Sequence, residues 1–175
     1  MKNNEVNFIT PFSPTIMETT VPQKFINMIN KIGDDVLSDN KKSAQFDWSD
    51  HLVGKVHKEV QIPMVDPDDA DYCKSILKGK CLLYLKEMIN KSRAYIDNMI
   101  LHHPVHGNLH PTDANVNISQ SWIVSQYKGE YNPWHQHSGH LSAVIYLKVP
   151  KDMDEFFEKE GEDHYPVGGA IQFIQ

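Results

Sequence analysis

The sequence predicts an α+β domain, with helices gathered in residues 1–115 and antiparallel strands in residues 116–175. Three observations predict it. Apolar residues recur at helical spacing through two stretches before residue 101. From Val116 onward the period changes from helical to alternating, which is the strand period. No internal repeat or low-complexity segment suggests a solenoid, and one domain accommodates all 175 residues.

In order along the chain, residues 6–21 alternate loosely between apolar and polar, broken by Pro11 and Pro14 and ended by Pro22. They predict an extended segment with turns. Pro22 then opens a short helix carrying Phe25, Ile26, Met28, Ile29 and Ile32 at helical spacing, with Gly33 as its stop. Residues 34–62 are polar and rich in turn formers around Phe46 and Trp48, and the alternating piece at 53–62 suits more than one conformation.

The strongest helix signal follows. Asp66-Pro67-Asp68-Asp69 supplies a cap, a proline at the first helical position and two acids in the first turn, where the helix dipole favours negative charge. Apolar residues then run from Ile76 to Ile100, and Gly79 is a candidate break between two helices. The histidine-rich stretch from His102 to His110, bounded by Pro111, is expected to be a loop. Segments 116–127, 141–149 and 169–174 are expected strands, joined at 128–131 and 150–161. The last of them stops at Gln175 without a turn, a cap or a polar tail, so further strands are expected beyond it.

Composition narrows the function classes. Hydrophobic residues at 40% and charged residues at 23% suit a soluble globular domain. A formal charge of −6 argues against general nucleic-acid binding, which needs a basic face. No apolar run is long enough to span a bilayer, and the first residues lack the apolar stretch of a signal peptide, so a cytoplasmic protein is expected. Cys73 and Cys81 lie in a predicted helix and are expected to be reduced thiols. Arg93 is the only arginine, and it falls in a predicted helix as a solvated charge, so few side chains can clamp a carboxylate with a bidentate fork. Nothing in the sequence selects an oligomeric state.

The chemistry points to His135-Gln136-His137. On a strand, alternate side chains share a face, and two rises separate His135 from His137 by roughly 6–7 Å. Two imidazoles at that spacing can meet on one first-row metal, and imidazole serves iron, zinc, copper and nickel alike. Pro133 and Trp134 would stiffen the approach and exclude water. His140 falls on the opposite face by parity, and His51, His57 and His164 are expected at the surface.

The surroundings extend this. The run Tyr127-Lys128-Gly129-Glu130-Tyr131-Asn132-Pro133-Trp134-His135-Gln136-His137 precedes Leu141-Ser142-Ala143-Val144-Ile145-Tyr146-Leu147 and then Gly168-Gly169-Ala170-Ile171-Gln172-Phe173. With Ser121-Trp122-Ile123 ahead of it, this order resembles the 2-oxoglutarate/Fe(II)-dependent oxygenase superfamily. It looks most like the small 2OG-Fe(II) oxygenases of marine phage and bacteria, and the resemblance covers residues 117–175. The resemblance implies a double-stranded β-helix, or jelly roll, buttressed by N-terminal helices. It also implies Fe(II) and 2-oxoglutarate as cofactors, with succinate and carbon dioxide released as a substrate is hydroxylated. Carried over, His135 is the first iron ligand, and His137 stands where the superfamily usually has Asp or Glu. Tyr127 and Tyr146 are the candidates to hydrogen-bond 2-oxoglutarate, since a phenol donates to a carboxylate without adding charge. A distal His and a cosubstrate-clamping Arg or Lys would follow on the later strands expected beyond Gln175. A small metabolite, an amino-acid side chain and a nucleobase all stay open as substrate.

Other readings share these residues. Gly129, five residues and then His135-x-His137 fit the opening of a cupin motif, but Leu141 and Ser142 stand where a cupin-like metalloprotein would next need Glu. A non-catalytic jelly-roll module that binds a partner or builds a structure is the alternative from another class. Zinc-dependent hydrolysis also uses His-x-His pairs, but no third ligand stands in a supportive pattern. No Gly-x-Ser-x-Gly elbow or phosphate-binding glycine loop is present.

Overall fold

A computed structural model describes residues 6–9, 15–49, 54–91, 116–133, 135, 137, 139–153 and 171. Their order is β1 (Asn7–Ile9), β2 (Ile16–Glu18), α1 (Gln23–Ser38), α2 (Asn40–Gln45), β3 (Lys58–Gln61), α3 (Pro67–Lys91) and β4 (Trp122–Ser125). The chain divides into two compact units. One holds Met1–Phe25, Met64–Ser121 and His137–Ala143, and the other holds Ile26–Pro63, Trp122–Gln136 and Val144–Gln175.

The first unit is built on α3. Its N-terminus forms as its chemistry dictates: Asp66 Oδ1 accepts from the Asp68 and Asp69 amides at 2.9 and 3.1 Å, and Pro67 occupies the first helical position. Ala70, Cys73, Leu85 and Met88 are its buried residues, joined in this unit's core by Phe25. The β1–β2 hairpin pairs Asn7 with Glu18 and Ile9 with Ile16. It is tied to α3 by polar groups, Tyr84 Oη donating to the Thr15 carbonyl (2.9 Å) and Lys80 Nζ donating to Thr19 Oγ1 (2.9 Å). Lys24 Nζ also sits 4.5 Å above the Tyr72 ring, a cation–π contact. Cys73 and Cys81 are free thiols. Eight helical residues put them about 12 Å apart along the axis, too far for a bridge. Burial raises the pKa of both, and the Asp69 charge adds to it at Cys73, so neither is a ready thiolate.

Gly79 does not break the helix. α3 runs unbroken through it, because 24 other residues carry the hydrogen-bond ladder and one glycine costs only about 1 kcal/mol. A Cβ built at Gly79 meets nothing within 4 Å. Gly79→Ala is therefore expected to stabilise the protein by roughly 0.5–1 kcal/mol, read as a rise in the urea midpoint at unchanged slope.

The second unit packs α1 against a small sheet. Gly33 is not the stop of α1, which continues to Ser38. It sits inside the helix because β4 comes close there: a Cβ on Gly33 would lie 2.7 Å from Ile123 Cδ1. The polar stretch after Ser38 holds a helix that composition did not announce. Asp39 caps α2 by accepting from the Lys41 and Lys42 amides at 2.8 and 3.2 Å, which also holds its carboxyl below the usual range. The buried Ser43 hydroxyl donates to the Val36 carbonyl (3.0 Å) and joins α2 to α1.

β3 is the middle of three extended segments. It pairs antiparallel with β4, Val60 opposite Ile123 and Glu59 opposite Val124. On its other edge Trp48 N–H donates to the Glu59 carbonyl (3.0 Å) and Gln61 N–H to the Phe46 carbonyl (2.9 Å). Directly opposed residues share a face of a sheet, so Val60 lies with Ile123 on the α1 side. Glu59 and Val124, one residue along, face the other way. Residues 147–148 run beside α1, where Asn30 Nδ2 donates to the Leu147 carbonyl (3.3 Å) and Lys148 pairs with Asp34.

These elements fit the α+β class. Strands and helices nonetheless interleave along the chain instead of following in two blocks. Among the described residues the sheets are small and do not compose a double-stranded β-helix. The expected strand at 116–127 is confined to β4, and residues 141–149 are described but pair with no strand among the described residues. Alternation marks which residues can be half-buried, but a strand also needs a neighbour to complete its hydrogen bonds. The expected strand at 169–174 lies outside the described residues except for Ile171, as do Arg93, His51, His164 and the histidine-rich loop. No helix among the described residues is long and apolar enough to cross a membrane.

Candidate metal centre

Three features of the second unit carry the chain from β4 to His135. The ladder between 55–58 and 125–131 is uneven: Lys58 pairs with Ser125 and Lys55 with Tyr131, so six steps on one side match three on the other. The excess forms a turn in which Glu130 N–H donates to the Tyr127 carbonyl (3.0 Å). Gly129 takes φ +84° there, as the third position of a type II turn requires. Glu130 then replaces the missing ladder bonds. Its Oε2 accepts from the amides of His57 and Tyr127, both at 2.8 Å, while Gln126 Nε2 donates to its carbonyl (2.8 Å).

The ladder resumes at Lys55 and Tyr131, whose amides and carbonyls exchange bonds of 2.9 and 2.8 Å. Gly54 lies against the next residues: a Cβ there would stand 2.6 Å from the Tyr131 carbonyl oxygen and 2.7 Å from Pro133 Cδ. Backbone and a proline ring cannot swing aside as a side-chain tip can. Gly54→Ala is expected to cost roughly 1–3 kcal/mol and to displace the segment leading to His135. A denaturant midpoint equal to that of the parent protein would refute the close approach.

His135 extends from this anchored segment. Its ring is exposed, and its Nδ1 lies 2.7 Å from the Pro133 carbonyl oxygen. A carbonyl can only accept, so Nδ1 is the donor in this contact, and in the neutral tautomer with that proton the ring's lone pair is on Nε2. That is the arrangement in which metal-binding histidines are held. The expected strand placement of the pair is not observed, since neither His135 nor His137 lies in a strand. No strand among the described residues pairs with residues 132–149, and Pro133 lacks a donor to begin a ladder. The parity argument for a shared face therefore does not apply. His135 belongs to the second unit, and the exposed His137 to the first.

Both tyrosines fall in the second unit. Tyr127 is 61% exposed, and its ring packs on His57 with centroids 4.6 Å apart. Tyr146 is 54% exposed; desolvation raises its phenol pKa, partly offset by a hydrogen bond with the backbone of Ile171.

One group in the neighbourhood escaped the sequence reading. Glu59 is 1% exposed, and its Oε1 has no hydrogen-bond partner. Desolvation pushes its pKa up to about 7, and the His135 charge pulls the other way. A buried carboxylate and an imidazole are thus close enough to feel each other. Alternation through 53–62 offers no sign of this, because Glu59 takes the polar parity with Lys55, His57 and Gln61.

Among the described residues, no group of three His, Cys, Asp or Glu side chains comes together to hold a metal ion. An imidazole such as that of His135 and a carboxylate such as that of Glu59 are donor types that suit Fe(II).

Residues 120–171 match a family model described as "Putative 2OG-Fe(II) oxygenase". The matched stretch contains β4, the Tyr127–Glu130 turn and the His135 segment. It supports an oxygenase of that superfamily and a general dioxygenase function. No curated protein matches the chain. No solved structure matches it either.

Proposed function

We propose that the chain is an Fe(II)- and 2-oxoglutarate-dependent dioxygenase that hydroxylates a small molecule, an amino-acid side chain or a nucleobase. The observation that carries this reading is the His135 ring, whose Nδ1–H is held by the Pro133 carbonyl inside the segment matching the oxygenase family. The iron with its cosubstrate and dioxygen supplies the hydroxylating chemistry, releasing succinate and carbon dioxide. His135 Nε2 would be the first ligand, with Nδ1 turned to the Pro133 carbonyl. The Tyr127 and Tyr146 hydroxyls would donate to the cosubstrate carboxylates, a role for which a neutral donor suffices. The Tyr127 amide donates to the Glu130 carboxylate and its ring packs on His57, contacts that support a fixed position for its hydroxyl.

The reading is tested by loading the full chain anaerobically with Fe(II) and 2-oxoglutarate and recording the visible spectrum. A weak metal-to-ligand charge-transfer band is expected. Metal bound without the band would replace this reading with a cupin-like metalloprotein. No metal at all would favour a non-catalytic binding module.

A further inference from the structure

The uneven ladder beside β3 carries a surface outside the candidate metal centre. Residues 54–58 and 125–131 hold three lysines, Lys55, Lys58 and Lys128, against one acid, Glu130. Lys58 interacts electrostatically with Asp47. Lys55 and Lys128 are exposed and take part in no ion pair among the described residues. Glu130 is half-buried, and its Oε2 is engaged by the His57 and Tyr127 amides, both at 2.8 Å.

Two large rings stand beside these lysines. Tyr127 is 61% exposed and Tyr131 is 60% exposed. Tyr131 lies directly opposite Lys55 in the ladder, so both side chains leave the sheet on the same face. Tyr127 precedes Lys128 and is backed by the exposed His57, ring centroids 4.6 Å apart. The backbone beneath them is held by the Lys55–Tyr131 bonds and by the bond from Glu130 N–H to the Tyr127 carbonyl. Open rings next to unpaired ammonium groups suit a ligand that repeats a flat face and an anion. A base stacks on an aromatic ring, and a phosphate is attracted to lysine as a point charge. An acidic peptide would use the lysines and leave the rings bare, while a neutral sugar would do the reverse. A duplex hides its base faces in its own stack, so the matching ligand is a single strand.

We propose that this surface binds a single-stranded nucleic acid, with bases on Tyr131 and on the Tyr127–His57 pair and phosphates at Lys55 and Lys128. The ring face of Tyr127 and the hydroxyl at its edge are separate groups, so this use leaves the hydroxyl to the cosubstrate. The formal charge of −6 makes the site local and salt-sensitive. Binding requires no metal and does not rest on the oxygenase reading.

The test titrates the full-length protein, in EDTA and over a series of salt concentrations, against labelled oligothymidylate, oligouridylate, a DNA duplex and heparin, read by fluorescence anisotropy. Binding of either single strand in preference to duplex and heparin is expected, and the two strands distinguish DNA from RNA. Tyr131→Ala is expected to weaken binding by about 5- to 150-fold, the range for one lost base stack. Tyr131→Phe keeps the ring and should bind like the parent protein. Lys55→Gln and Lys128→Gln should each flatten the slope of log affinity against log salt by about 0.7, one phosphate contact on a single strand. Urea midpoints of all variants should match the parent, since the substituted side chains are exposed. No strand binding by the parent at low salt, or heparin and duplex bound as tightly as the strand, would overturn the proposal. So would unchanged binding in Tyr131→Ala, equal losses in Tyr131→Ala and Tyr131→Phe, or parental salt slopes in both lysine variants. Should Tyr131→Ala fail to fold, Tyr131→Phe and the lysine slopes decide the matter.

Discussion

His135→Ala is expected to abolish the anaerobic Fe(II)/2-oxoglutarate band and to weaken Fe(II) binding by more than about 100-fold, the most that loss of an outer-shell partner usually costs. Stability should hardly move. The ring is exposed and its Nδ1 contact runs only two residues back, to Pro133, so the metal-free protein should change by no more than about 0.5 kcal/mol. This split between metal binding and folding separates a ligand from a packing residue. The substitution also removes the one charge that pulls the Glu59 pKa down, so that pKa should rise further. If His135→Ala keeps the band at full intensity, His135 is not a ligand and the proposed centre fails.

Metal-free stability should fall as pH rises from about 5 to about 8. Glu59 carries a folded-state pKa of about 7 against a model value of 4.5. Between those values the folded protein holds a proton that the unfolded chain has released, so raising the pH favours unfolding. Below about 4.5 both states are protonated and the penalty is absent. Above about 7 it is complete, and at 1.36 kcal/mol per pKa unit it amounts to about 3 kcal/mol. Asp39 and Asp47 act oppositely and in another window. Hydrogen bonds from the Lys41 and Lys42 amides and from Ser49 lower their pKa values below 3.8, so their stabilisation is lost only as the pH falls into strongly acid conditions. Urea midpoints at pH 5, 6, 7 and 8 check the prediction. The parent protein should slope downward across them and Glu59→Gln should be flatter. Equal slopes would remove Glu59 as the cause.

Helix starts were legible because their signals are local. Pro22 before α1 and Asp66-Pro67 before α3 act on amides within three residues, and no distant partner is needed to satisfy them. The position of β4 within the alternating stretch after Val116 was legible in part. The turn that follows was readable from Gly129, whose positive φ few other residues adopt at no cost. The candidate chemistry at His135 was visible as well, since a proline two residues before a histidine is written in the chain.

Other features depended on which segments meet. Gly33 and Gly79 carry the same propensity penalty, yet neither ends its helix. Gly33 is accounted for by Ile123 arriving from 90 residues away, whereas Gly79 faces open space. Residues 141–149 alternate as a strand should, but the tertiary arrangement gives them no partner among the described residues. Glu59 shows the division most clearly. By sequence it is one of four polar residues on the exposed parity of a short alternating piece. In the folded protein it lies on the middle segment, paired by the 46–48 segment on one edge and β4 on the other, and is buried. The sequence by itself determined the starts of α1 and α3, the turn and the histidines, because those are written in near neighbours. The tertiary structure alone decided which glycine is crowded, which alternating run becomes a strand and which carboxylate is buried, because burial is set by segments distant in the chain.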